Sequence, residues 1–473
     1  MTYHLPKKTM VLLTIILVVS SIPNAMLATP TITPATSIHT SSLGPGVYQL
    51  LIITPHQFVH ALQPLVRHKQ AMGLPTRLVT LKEIYQHTFW QGRDNAEKIK
   101  YFIAEAVAQW GIHYVLLVGG RSSQIANTWY CPVRYASSSD DWDTEFLSDL
   151  YFADIYNATG GFSTWDSNEN GLYSEWYPNQ AAVDTGIDYT PDIAVGRLPC
   201  RSVREVQTEV NKIITYETTA TTSSWFPTML VVAGDTYPQS ENPNWTGCEG
   251  EYYGDRAIEN MTGFTPTRLY ASAQTFQSKD DVITAFHSGF GFVYLVGHGS
   301  PRQWGNHPVN STAFIQGPNT NDMGKLRNHD RLPVCIVSGC HNCQFDVCLG
   351  RLLNYTLRYR QEYVPECWGE RSMSVRNGGT VGTIGVTALG YTKEDKHSFH
   401  GGINELEVAF FHAYGHNHNL RLGDAWAAAL NLYAATYPVD SNGLGGSDTW
   451  IDSKVISSWE LLGDPSLQLG GYP

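Results

Sequence analysis

Short runs of β-branched and apolar residues alternate along the chain with stretches whose apolar positions recur at helical spacing. The runs at 49–53, 77–80 and 114–118 predict buried strands, and 56–72 and 96–110 predict the helices between them. A further strand is expected within 191–199, followed by an amphipathic helix over 203–218. After a polar break at 219–224 the alternation restarts, with strands at 229–233, 292–296, 334–338 and 380–386 and helices at 400–414 and 422–435. Strand–helix alternation predicts an α/β fold with parallel sheets covered by helices on both faces. The break divides it into two stacked units, 43–220 and 221–473. One stretch resists this pattern. Residues 140–188 are acidic, aromatic and glycine-rich with weak periodicity, too long for a plain connector and therefore expected to be functional or ion-stabilised.

Composition narrows the class. Of 473 residues, 42% are hydrophobic and 16% charged, enough apolar material for a large core. The formal net charge of −12 argues against nucleic acid or an anionic membrane as the main partner, since both need a concentrated basic face. Residues 1–28 carry Lys7 and Lys8, an apolar run over 10–22 and small residues at Ala25 and Ala28, the pattern of a cleaved secretory signal. The Thr/Ser/Pro-rich stretch 29–42 is expected to be a linker. No later stretch could cross a membrane, so a secreted protein without a stable span is expected. Sequons at Asn157, Asn244, Asn260, Asn310 and Asn354 could carry glycans there. Eight cysteines are too few for a disulfide scaffold in so long a chain, and Cys340, Cys343 and Cys348 lack the fourth ligand of a structural zinc site.

Two buried-looking strands end in reactive residues. The run 292–296 leads into Gly297-His298-Gly299-Ser300, and 334–338 leads into Gly339-Cys340. Sites in open parallel sheets gather at the carboxyl ends of strands. If these strands are neighbours, imidazole and thiol share a crevice. A thiol attacks as its thiolate, and a nearby histidine supplies the base. The N–H groups of Gly299 and Cys340 could then form an oxyanion hole. Cys335, within its strand, has the inert buried position most cysteines occupy.

An apolar block, Gly-His-Gly-Ser, then a second apolar block, a small residue and Cys, is the arrangement of the caspase–legumain clan. Within it the chain resembles the gingipain family of cysteine peptidases. Trp304-Gly305 follows His298 at the family's offset, and Leu332-Pro333 opens the cysteine strand at the family's distance from Cys340. Asp192 to Pro199 resembles the segment joining the family's two subdomains, and Leu462-Gly463-Asp464-Pro465-Ser466 its closing motif. The resemblance implies caspase-like subdomains, a catalytic unit over 221–473, and peptide-bond hydrolysis by Cys340 and His298 on protein or peptide substrates. It also implies that Asp235, at a strand end, orients His298 as a third member, and that Trp304 lies with the substrate-binding residues. In arginine-specific members an acidic residue floors the P1 pocket just before the following helix. That position is Glu251 here, with Glu249 beside it, and a carboxylate there would pair with Arg or Lys.

A further site stands in the irregular stretch. Asp166, Asn168 and Asn170 alternate before Gly171, with Glu175 beyond, a calcium-loop pattern that is not an EF-hand because the glutamate falls two positions early. Structural calcium is expected there, and no organic cofactor. Two alternatives remain open: a non-catalytic calcium-binding secreted pseudoprotease or adhesin, and a peptidase of the same clan with a non-basic P1 preference.

Overall fold

The computed structural model describes residues 43–473 apart from 141, 241–246, 350–363, 395–398, 419 and 442–446. The expected signal and linker over 1–42 and the sequons at Asn244 and Asn354 lie outside the described residues.

Ten strands build one sheet. They are β1 (Leu50–Thr54), β2 (Thr76–Thr80), β3 (Tyr114–Val118), β4 (Ala194–Leu198), β5 (Thr228–Ala233), β6 (Thr265–Tyr270), β7 (Phe292–Leu295), β8 (Val334–Val337), β9 (Gly382–Val386) and β10 (Trp459–Leu462). Their order is β2-β1-β3-β4-β10-β9-β8-β7-β5-β6. All neighbouring pairs run parallel except β9 with β10. The central strands β3, β7, β8 and β9 are buried throughout, because helices cover both faces and leave no side for polar alternation.

The two halves meet edge to edge. The last strand, β10, is the seam, pairing with β4 of the first half and β9 of the second. Local chemistry starts the helices where the pattern predicts them. Asp94 accepts from the Glu97 N–H to open helix Asn95–Trp110, which ends at left-handed Gly111. Ser202 does the same for helix Val203–Thr219.

Several motif residues are structural locks. Lys69, on helix Val59–Ala71, lies fully buried between Glu217 Oε1 and Asp464 Oδ2, each at 2.7 Å. This joins the first helix to Val203–Thr219 and to the closing motif. Arg197 is buried against Asp149 and donates to the Gly119 and Pro132 carbonyls at 3.0 Å. Removing one partner of such a pair leaves an uncompensated charge at about 3–5 kcal/mol.

Candidate active site

The register of β7 and β8 sets Leu295 opposite Val337, so both strands run out at the same sheet edge. Ser338 N–H still donates to Leu295 O at 2.8 Å, and beyond it the chains diverge into two loops. One carries His298 and the other Cys340, both half-buried. The loops touch through glycine. A Cβ at Gly339 would lie 2.9 Å from Gly299 N, and one at Gly299 would lie 2.2 Å from Asn342 Oδ1. Any side chain at either position would push histidine and cysteine apart.

His298 Nε2 stands 2.7 Å from the carbonyl oxygen of Thr236. A carbonyl only accepts, so Nε2 carries the proton and Nδ1 holds the lone pair that can exchange one. Tyr237 and His307 flank the ring, with centroids 5.6 and 5.3 Å away. Cys340 Sγ receives the Gly390 N–H at 3.4 Å. Burial raises the Cys340 thiol above its ordinary value, and Asp143 adds to the rise. The Gly390 N–H and Lys454 act against it.

Asp235 lies at the end of β5 but does other work in this arrangement. Its Oδ2 accepts from the Asn310 N–H at 2.6 Å, while the next residue's carbonyl orients His298. Trp304 is fully buried, stacked on Phe276 and donating to Ser338 O at 3.1 Å. It supports the two loops from below and offers no face to a substrate. Glu251 and Glu249 open helix Glu249–Asn260. The Glu251 carboxylate turns to Ser272, accepting its N–H at 2.8 Å, and burial raises its pKa. Glu249 is buried on the other side and accepts from the Tyr237 N–H at 3.2 Å, next to the ring that flanks His298.

Asp166, Asn168, Asn170 and Glu175 do form one turn. Its oxygens, however, face protons. Asp166 accepts from the N–H groups of Asn170 and Gly171 and from the Arg93 guanidinium at 2.7 Å, and Asn170 Nδ2 donates to Glu175. Among the described residues no three His, Cys, Asp or Glu side chains cluster as metal ligands. Calcium wants six to eight oxygens, so this arrangement does not fit it and the cation beside Asp166 is Arg93.

Other residues of the site escaped the sequence. Asn342 Nδ2 donates to Ser300 O at 2.8 Å and Gln303 O at 2.9 Å, tying the cysteine loop to the histidine loop. Asp143 Oδ2 accepts from the Leu389 N–H at 2.7 Å and so holds the Gly390 amide against Cys340. Lys454 pairs with Asp140 and, at 3.4 Å, with Asp143. The acidic stretch from 140 had signalled a role, without showing which aspartate reaches the thiol.

Residues 45–470 match the description of peptidase family C25. Gingipain R2 of Porphyromonas gingivalis is 22% identical over 285 residues, covering 60% of this chain and 33% of that protein, so the chain spans about a third of its length. An uncharacterized protein of Archaeoglobus fulgidus is 25% identical over 288 residues, 58% of this chain and 64% of that one. The crystal structure of the Arg-specific cysteine proteinase gingipain R superimposes with a TM-score of 0.60 at 17% identity, over 91% of this chain and 80% of that one. At that identity the likeness shows a shared caspase-like α/β fold.

Proposed function

The chain belongs to peptidase family C25, and from that premise we propose that it is a cysteine-type endopeptidase with Cys340 as nucleophile and His298 as general base and acid. One observation carries the proposal: adjacent parallel strands deliver imidazole and thiol to loops that touch at Gly299 and Gly339. His298 takes the Cys340 proton, and the thiolate adds to the scissile carbonyl. The N–H groups of Gly299 and Cys340 are the donors for the oxyanion. The imidazolium gives its proton to the departing amine, leaving a thioester at Cys340. Water, deprotonated by His298, then hydrolyses the thioester and restores the thiol.

We further propose a basic P1 residue. The support is a pair of carboxylates in the first turn of helix Glu249–Asn260, with Glu249 on the His298 side. Export is proposed from the leader-like pattern of 1–28, and among the described residues no helix is long and apolar enough to cross a membrane.

The test is labelling with acyloxymethyl ketones that vary at P1. Labelling of Cys340 that is lost in Cys340→Ala and nearly lost in His298→Ala is expected. Hydrolysis undiminished in Cys340→Ala would overturn the mechanism. Efficient labelling with Leu or Ala at P1, unaffected by Glu249→Gln and Glu251→Gln, would overturn the basic preference.

A further inference from the structure

A cavity of about 510 Å³ adjoins the loop that carries Tyr391, near Cys340. Its walls include Asp140, Trp142, Tyr177, Pro178, Tyr391 and Trp450. It shares a wall with the reactive thiol, because Tyr391 follows Gly390, whose N–H donates to Cys340 Sγ. The Tyr391 hydroxyl donates to Asp140 Oδ2 at 2.8 Å, which fixes that wall to the acidic stretch. Four aromatic side chains in one pocket is unusual for a solvent-facing cleft. Trp142 keeps 53% of its surface exposed there, although an indole gains by burial.

The charge around the cavity is negative. Asp140 lines it, Asp143 shares Lys454 with Asp140, and the Tyr177 hydroxyl donates to Glu175 at 2.9 Å. Lys454 pairs with both Asp140 and Asp143, and its single positive charge offsets one of the three negative ones. The same rings already hold an ammonium from behind, since Lys454 Nζ lies 5.4 Å from the Tyr391 ring centre and 5.8 Å from that of Trp450. An aromatic enclosure with surplus negative charge favours a cation over an acid or a neutral apolar group.

We propose that this cavity is a second substrate subsite, taking a lysine or arginine side chain at a position flanking P1. The inference rests on the peptidase reading above and extends it from one basic residue to a pair. It makes clusters of basic residues in extended polypeptide the preferred substrates.

The test uses internally quenched peptides with P1 fixed and Lys, Ala or Glu placed in turn at each neighbouring position. At one position Lys is expected to exceed Glu in kcat/KM by between about threefold and thirtyfold. Trp142→Ala should bring that ratio toward one, and Trp142→Phe, which keeps an aromatic face, should retain most of it. The Cys340→Ala protein is titrated with the same Lys and Glu peptides, so binding is read without turnover. A Lys preference in affinity that Trp142→Ala removes supports the subsite even if no peptide is cleaved, in which case the peptidase reading fails alone. Equal affinity for both peptides, a preference for aromatic or acidic residues, or a Lys preference untouched by Trp142→Ala would overturn the subsite.

Discussion

Replacing Asn342 with alanine cuts a side-chain link between the two catalytic loops, and its cost follows from the geometry. Gln303 O keeps a second donor, the Ser300 N–H at 2.9 Å, so it loses a supplementary bond at about 0.5–1.5 kcal/mol. Ser300 O, at a half-buried position, loses its amide donor at a similar cost of about 0.5–1.5 kcal/mol. Against this, Asn342 Oδ1 is buried without a hydrogen-bond partner, and deleting it returns part of the loss. The net destabilisation expected is about 1–2 kcal/mol. For a protein of this size, with an unfolding entropy of about 1 kcal/mol/K, that lowers the melting temperature by about 1–2 °C. The kinetic effect should be larger in proportion, because a shift of about 1 Å between imidazole and thiol costs about a hundredfold in turnover. Asn342→Asp separates the lost donors from the lost volume. It fills the same space but turns an acceptor on two carbonyls, and should be at least as damaging as alanine. Differential scanning fluorimetry and kcat/KM on one fluorogenic peptide decide the matter. Wild-type melting and wild-type kcat/KM in both variants would refute the idea that this side chain holds the two loops together.

Four further outcomes are expected. Asp143→Asn should move the pH profile of Cys340 alkylation to lower pH, because the Asp143 charge adds to the rise that burial imposes on the thiol; a profile that stays put or moves up is the contrary result. Glu249→Gln should weaken selection for basic P1 more than Glu251→Gln does, since Glu251 is already occupied by Ser272; the reverse order in a P1 library would reassign the pocket. Glu407, between the Tyr294 hydroxyl and Asn404, is pushed up to about 8 by burial, so it folds protonated. Its contribution is complete below the ordinary value of 4.5 and is lost as pH rises from there to about 8, and Glu407→Gln should flatten the fall in melting temperature over that window. Excess chelator should leave the melting temperature unchanged, because Arg93 and backbone N–H groups already satisfy Asp166; a clear drop would restore calcium to the turn.

Most of the parallel strands were legible because each is a continuous apolar run, and burial on both faces needs nothing else. The missed strand β6 lies at the sheet edge, is largely exposed and carries Pro266, so it lacks that run. Strand β10 is only four residues long, and its place between β4 and β9 depends on partners more than 70 residues away in sequence. Helix Lys279–Phe286 is short, and its Ser278 capping box was its only strong local mark.

By itself the sequence determined that two apolar strands end in glycine-flanked histidine and cysteine, because hydrophobic periodicity and glycine placement are local properties. It also determined the motif residues, though not what they do: Arg197 ties its strand to Asp149 within the first half, and Asp464 joins the closing motif to Lys69 across the two halves. Tertiary structure alone decided that β7 and β8 are neighbours, since strand order depends on how crossovers pack. It decided that a backbone carbonyl, at Thr236, orients His298, an interaction no side-chain pattern encodes. It turned Glu251 to Ser272 and buried Trp304, because a side chain's direction follows from which loops surround it. And it brought Asp143 to the cysteine, across about 200 residues of chain, where a contact depends on the closure of the whole sheet and leaves no periodic trace.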